Sequence, residues 1–183
     1  MTPPDQPEFS RAERVDQIGG STRTVEIAAD AAERAALARR FGLISIERLE
    51  ARFDLRAEAA GIVADGRVRA AVTQACVATG EPVVATVDDP VSLRFVERIG
   101  GGGDDELELS ADALDTLPID GGTIDLGEAA AETMALAIDP FPRSPEADAA
   151  LAAAGVKNED EAAAELSPFG ALADLKRKLE GDR

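Results

Sequence analysis

The sequence of 183 residues contains no His, Trp or Tyr, and it has only one Cys and two Met. Without His, the chain has no Ser-His-Asp triad, no Cys-His nucleophile pair and no imidazole ligand for a metal ion. A single Cys excludes an intrachain disulfide, a zinc ribbon and a cysteine-ligated iron–sulfur cluster, and it gives no sign of an oxidising compartment. These absences remove several nucleophilic and metal-binding classes of protein.

Long apolar runs are also missing from the sequence. No stretch approaches the 18 apolar residues that a membrane-spanning helix needs. Residues 1–7 are polar and lack the apolar core of a signal peptide. Because 45% of the residues are hydrophobic and 30% are charged, there are enough apolar side chains to pack a core. We therefore expect a folded, soluble, cytoplasmic protein that does not bind membranes.

Positive charge is scarce, and the acidic residues are unevenly distributed. The chain has 19 Lys and Arg against 36 Asp and Glu, a formal net charge of −17. Residues 9–99 are nearly balanced, whereas residues 100–139 contain eleven acidic residues and no Lys or Arg. Such a segment repels phosphate, whose neutralisation supplies most affinity for nucleic acid, and it attracts basic proteins. Solubility alone would also account for the acidity, so the charge by itself leaves both interpretations open.

Hydrophobic periodicity predicts a mixture of helices and strands. Asp30 is a typical N-cap for a helix through Arg40, and Gly42 is a typical residue to end it. In residues 44–57 apolar side chains alternate, and the phase shifts by one at Glu47–Arg48, which predicts a β-bulge. The other predicted strands are residues 9–15, 22–27, 67–76, 83–87 and 91–95.

Turn signals predict how these strands are connected. Asp65-Gly66 is typical of a hairpin turn, and Gly80-Glu81-Pro82 of a second turn. The strand of residues 83–87 follows this second turn, and Asp88-Asp89-Pro90 is expected to end it. Because these connections are too short for parallel crossovers, we predict an antiparallel meander. A later helix over residues 126–138 is expected to face the core with Leu126, Ala130, Met134 and Ala137.

The predicted fold class is α+β, with an antiparallel sheet or partly closed barrel of six or seven strands. Two helices pack this sheet, and a C-terminal helix follows on an acidic tether. The apolar stripe of that terminal helix would fold back onto the domain or insert into a groove of a partner, and the sequence leaves both open. The predicted divisions are a disordered leader (1–8), an α+β domain (9–143), an acidic Ala-rich linker (144–166) and a C-terminal amphipathic helix (167–183).

Three parts of the sequence together resemble a known bacterial family. The first part is residues 72–83. The second part consists of residues 122–126, 132–137 and 139–142. The third part is residues 167–178 and contains Pro-Phe-x-x-Leu-x-x-Leu-Lys. Their order and spacing over residues 9–179 resemble the YceD family, also called large ribosomal RNA subunit accumulation proteins.

The resemblance implies a non-catalytic cytoplasmic factor needed for the synthesis, processing or stability of large-subunit ribosomal RNA. It brings no catalytic residues and no cofactor. Members often have Cys-x-x-Cys in the first motif and His or Cys after the second. Here Cys76 is followed by Thr79, and Arg143 follows Pro142, so the resemblance implies that no metal site is retained.

Two other polar features have structural interpretations in the sequence. Cys76 shares a strand face with Val68 and Val72, which is typical of a small buried hydrophobic residue. Asp120 and Asp125 flank a Gly-Gly turn, as turn and capping residues do, and their spacing does not match a calcium-binding loop.

Two functional hypotheses remain. The first is a binding factor whose acidic surface and terminal helix dock on a basic ribosomal protein or a pre-ribosomal particle. We do not expect direct RNA binding, because three basic residues in the terminal helix are a poor anchor in so acidic a chain. The second is a magnesium-dependent nuclease that uses clustered carboxylates on a ribosomal RNA precursor. The candidate partner-binding residues are Asp104, Asp105, Glu106, Glu108, Asp112, Asp115, Phe169, Leu172, Leu175 and Lys176.

Overall fold

The computed structural model describes residues 7–97, 115–119 and 121–157. These ranges contain seven strands and three α-helices, so the predicted α+β class is confirmed. No helix within them is long and apolar enough to cross a membrane. In chain order the elements are β1 (Ala12–Arg14), a 3₁₀ turn (Val15–Gln17), β2 (Arg23–Ala28), α1 (Ala31–Phe41), β3 (Ser45–Glu58), β4 (Gly61–Ala75), β5 (Pro82–Glu97), β6 (Asp115–Ile119), β7 (Thr123–Asp125), α2 (Leu126–Ala137) and α3 (Ala147–Ala153).

Five of the strands form one sheet in the order β2-β3-β4-β5-β6, while β1 pairs with β7 in a separate two-stranded sheet. Strands β2 to β5 are antiparallel, but β6 is parallel to β5, so the prediction of a purely antiparallel sheet is wrong at this edge. The 17 residues between β5 and β6 are long enough for a parallel crossover. In the described part of the chain the sheet keeps two edges and does not close into a barrel.

The central strands are longer than the turn signals predict. Asp65-Gly66 lies inside β4 and pairs with β3, so the predicted hairpin turn there is wrong; β3 and β4 turn at residues 59–60 instead. The predicted break at residues 88–90 is also wrong, because β5 continues through them. Proline is tolerated there since β6 pairs with β5 only from Leu93 onwards, which leaves the preceding edge of β5 without a described strand partner.

Gly66 is needed for close approach of two backbones rather than for a turn. A Cβ atom at this position would lie 2.0 Å from the carbonyl oxygen of Arg52 and 3.1 Å from the Cα of Phe53. A contact of 2.0 Å essentially does not occur for a real Cβ atom, so only glycine fits. The predicted β-bulge is confirmed, with the register shift lying between Ile46 and Arg48.

The two longer helices begin at the predicted caps. The Asp30 side chain accepts N–H groups of α1 and forms a capping box with Glu33, and left-handed Gly42 (φ 67) follows the helix. Asp125 caps α2 in the same way. Because each cap is a local interaction between neighbouring residues, the sequence pattern alone located both helices.

The core lies between one face of the five-stranded sheet and α2, with α1 packed against β3. Leu126, Ala130 and Met134 of α2 are buried as predicted, but Ala137 is exposed, and that part of the prediction is wrong. The neighbouring Leu136 is exposed as well, so the last turn of α2 extends past the margin of the core.

Candidate functional site

Of the ten predicted partner-binding residues, only Asp115 lies in the described part of the chain. It is exposed, opens β6 and is paired with Leu93 of β5. Whether the ten form one surface therefore stays a prediction. The residues outside the described ranges are Asp104, Asp105, Glu106, Glu108, Asp112, Phe169, Leu172, Leu175 and Lys176.

Some acidic residues of the 100–139 segment serve the fold. A carboxylate oxygen of Asp125 accepts the backbone N–H groups of Gly127 at 2.9 Å and of Arg11 at 2.8 Å. This confirms the structural interpretation of Asp125 as a capping residue, and it ties the N-terminal residues to α2. Glu128 forms an ion pair with Arg40 at 2.6 Å, which joins α2 to α1. These two carboxylates already have partners within the fold.

Another pair of carboxylates borders a groove between α2 and β5. Asp89 and Asp115 form no ion pair with any described residue, and both line this groove of about 210 Å³. Leu136, also in its lining, is 86% exposed. Among the described residues, the groove therefore combines apolar surface with negative charge that has no ion-pair partner. We call it the α2–β5 groove; it is lined by Asp89, Pro90, Val91, Ser92, Asp115, Thr133, Leu136 and Ala137.

The sequence missed Asp89 and Leu136 as candidates. Asp89 was interpreted as part of a strand break, and only the pairing of β5 brings it beside α2. Leu136 could have been predicted as an exposed apolar residue, because it lies outside the stripe of its helix that contains the buried Leu126 and Met134.

The outer face of the sheet carries arginines that are paired with acids. A cleft of about 750 Å³ is lined there by Arg52, Arg67 and Arg69 among others. Arg52 pairs with Glu26 at 3.2 Å, while Arg67 and Arg69 share Asp88 at 2.8 and 3.4 Å. Because each guanidinium faces a carboxylate, this face offers little uncompensated positive charge to phosphate.

The only Cys directly follows β4 and lies under the residues that follow α2. Cys76 is 3% exposed, so its predicted burial is confirmed. Its Sγ accepts the backbone N–H of Ser144 at 3.2 Å, and the backbone N–H of Val77 donates to the carbonyl of Pro142 at 2.9 Å. The Gln74 side chain donates to the carbonyl of Asp139 at 2.7 Å. These bonds fasten residues 139–144 to the end of the sheet.

Donors around the sulfur favour the thiolate over the thiol. The pKa of Cys76 is lowered to about 6, first by the backbone N–H of Ser144 and then by the Thr79 hydroxyl. These thiolate-stabilising neighbours could not be inferred from the sequence. In the described ranges, no three Cys, Asp or Glu side chains are grouped so that they could hold a metal ion.

We expect the absorbance of the thiolate at 240 nm to titrate near pH 6 in the native protein. The folded pKa lies below that of the unfolded chain, near 8.5. The stabilisation by the thiolate is therefore fully present above about pH 8.5 and is lost as the pH falls through 6. Cys76→Ser should abolish the signal, and Thr79→Val should move the midpoint upward. If the thiolate absorbance of the native protein had the same titration midpoint as that of the protein unfolded in guanidinium, the hydrogen bonds to the Cys76 Sγ would be contradicted.

The described residues thus define an α+β domain with internally paired sheet arginines and a groove bearing two unpaired carboxylates. The sequence model of the family described as large ribosomal RNA subunit accumulation protein YceD matches residues 64–176, and the chain belongs to this family. The resemblance drawn from the three sequence segments is confirmed. No curated protein and no solved structure matches the chain.

Proposed function

We propose that this protein is a non-catalytic factor that supports the synthesis, processing or stability of large-subunit ribosomal RNA. It does so by docking its acidic surface on a basic ribosomal protein or a pre-ribosomal particle. Membership of the family described by large ribosomal RNA subunit accumulation supplies the biological context. The mode of action is our inference from the charge distribution.

The observation that carries the mode of action is the unequal pairing of charge. Arginines on the outer sheet face, such as Arg52 and Arg67, are matched by carboxylates, whereas Asp89 and Asp115 have no cation among the described residues. Added to the net charge of −17, this arrangement supports attraction to a basic protein rather than to phosphate.

Co-sedimentation of the full chain with large-subunit precursor particles tests the proposal. Because contacts between exposed charges are screened beyond about 8 Å at physiological ionic strength, binding should weaken when salt is raised from low to physiological levels. Neutralising four acids of the predicted docking surface should lower the affinity roughly tenfold through lost electrostatic attraction. The variant carries Asp104→Asn, Asp105→Asn, Glu106→Gln and Glu108→Gln.

A matched control removes four acids from the predicted linker instead. It has the same change in net charge and the same kind of substitution, so its affinity should stay within about twofold of the unmodified chain. Equal losses in both variants, or binding that does not respond to salt, would contradict a localised acidic docking surface. The control carries Glu159→Gln, Asp160→Asn, Glu161→Gln and Glu165→Gln.

A second measurement addresses catalysis directly. The purified chain is incubated with Mg²⁺ and ribosomal RNA precursor, and we expect the RNA to remain intact. Site-specific cleavage that is lost on Asp→Asn substitution would overturn the non-catalytic proposal and favour a carboxylate-based nuclease.

A further inference from the structure

The α2–β5 groove lacks a described partner for both its apolar and its acidic surface. Leu136 remains 86% exposed, although Met134 of the same helix is fully buried. Asp89 and Asp115 border the groove without an ion pair to any described residue. A segment that suits this groove would present apolar side chains beside basic ones.

We propose that residues 167–179 of this same chain dock in the α2–β5 groove. The sequence there predicts a short amphipathic helix whose apolar stripe could cover Leu136. Three consecutive basic residues in it complement Asp89 and Asp115. The stripe consists of Phe169, Leu172, Leu175 and Leu179, and the basic residues are Lys176, Arg177 and Lys178.

The connection from the last described residue to this segment is nine residues long. Ser144 is bonded to Cys76 beside the turn between β4 and β5, and α3 begins three residues later. Residues 158–166 can span up to about 30 Å when extended. Attachment by so short a connection gives an effective concentration on the order of 1 mM, which makes even a weak contact well populated.

Charge also distinguishes this segment from two other occupants. Residues 98–114 contain five acidic residues and one Arg, so they would place further carboxylates beside Asp89 and Asp115. A second copy of the chain would bring a net charge of −17 against the same charge. Residues 167–179 instead combine an apolar stripe with a net charge of +2, from three basic residues and Asp174. A docked segment would pair with Asp89 and Asp115, so a basic partner would have to displace it before binding these two carboxylates.

Hydrogen–deuterium exchange on the full chain tests the docking. We expect amides of residues 169–179 to be protected, and Leu136→Glu to raise their exchange rates about tenfold, because the charge removes the apolar contact. The matched control is Val84→Glu, since Val84 is 73% exposed on β5 and lies outside the groove. It should leave these exchange rates unchanged. Thermal unfolding of both variants verifies that the domain itself remains folded.

A charge exchange tests the orientation of the same contact. Asp89→Lys with Asp115→Lys should raise the exchange rates of the segment about fivefold, and adding Lys176→Glu with Lys178→Glu should restore them. Unprotected amides in the unmodified chain, equal effects of Leu136→Glu and Val84→Glu, or failure of this restoration would overturn the proposal. Protection that grows with protein concentration would assign the groove to a second copy and would also overturn it.

Discussion

Gly66→Ala is expected to lower the free energy of unfolding by about 3 kcal/mol. The added methyl group would lie 2.0 Å from the carbonyl oxygen of Arg52, which belongs to the neighbouring strand β3. The contact is between backbone and Cβ, so no side-chain rotation can relieve it. Strands β3 and β4 must separate locally, in the middle of the sheet and beside the fully buried Phe53. Urea unfolding followed by circular dichroism measures the change.

Gly20→Ala provides the control for this substitution. Gly20 is exposed, has no atom within 4 Å of an added Cβ and needs no left-handed backbone. The free energy of unfolding of the Gly20→Ala variant should differ from that of the unmodified protein by less than about 0.5 kcal/mol. If Gly66→Ala were as mild as Gly20→Ala, the close approach of β3 to β4 would be wrong.

The same glycine shows why some elements could be predicted from the sequence and others could not. Helix ends depend on bonds between near neighbours, so Asp30, Gly42 and Asp125 located α1 and α2 correctly. A glycine in a dipeptide such as Asp65-Gly66 has two explanations, a left-handed turn or a close backbone contact. Only the partner strand decides between them, and it is not adjacent in the sequence.

Proline in β5 presents the same difficulty. Pro90 lacks an N–H and is expected to end a central strand, but it is compatible with a strand whose outer side has no partner at that point. The outer side of β5 is free of a described strand at Pro90 because β6 pairs with β5 only further along. The position of β6 depends on the connection of residues 98–114, and the strand pattern does not predict where that connection leads. The local properties of Asp65-Gly66 and Pro90 were therefore recognised correctly, but the strand connections inferred from them were wrong.

The candidate site likewise has some features that the sequence predicts and others that it does not. The acidic character of residues 100–139 and the amphipathic C-terminal segment are visible in the sequence. The α2–β5 groove is not, because Asp89, Asp115 and Leu136 come from three distant elements. Likewise the lowered pKa of Cys76 depends on Ser144, which is 68 residues away. Contacts between distant residues, rather than residue types, define both features.

The family match raises a question about the residues that precede it. The matched range begins at residue 64, inside β4, yet β3 pairs with β4 along nearly its whole length. The most N-terminal described segment also packs on α2, which lies within the matched range: a Cβ at Gly127 would be 2.3 Å from the carbonyl oxygen of Phe9. The preceding residues are therefore part of the same core, and the most direct test is a core side chain near the beginning of the chain.

Phe9→Ala is expected to lower the free energy of unfolding by about 4 kcal/mol, the usual cost of removing a buried aromatic side chain. Phe9 is 0% exposed and belongs to the hydrophobic core cluster, and the Arg11 guanidinium lies over its ring at 4.6 Å. Phe141→Ala removes the same atoms from a side chain that is 72% exposed, so it should change the free energy of unfolding by less than about 1 kcal/mol. Chemical unfolding of both variants gives the comparison. If the two substitutions had equal effects, residues before β1 would not be part of the folded core. A large difference would instead mean that residues outside the family match contribute directly to the stability of those within it.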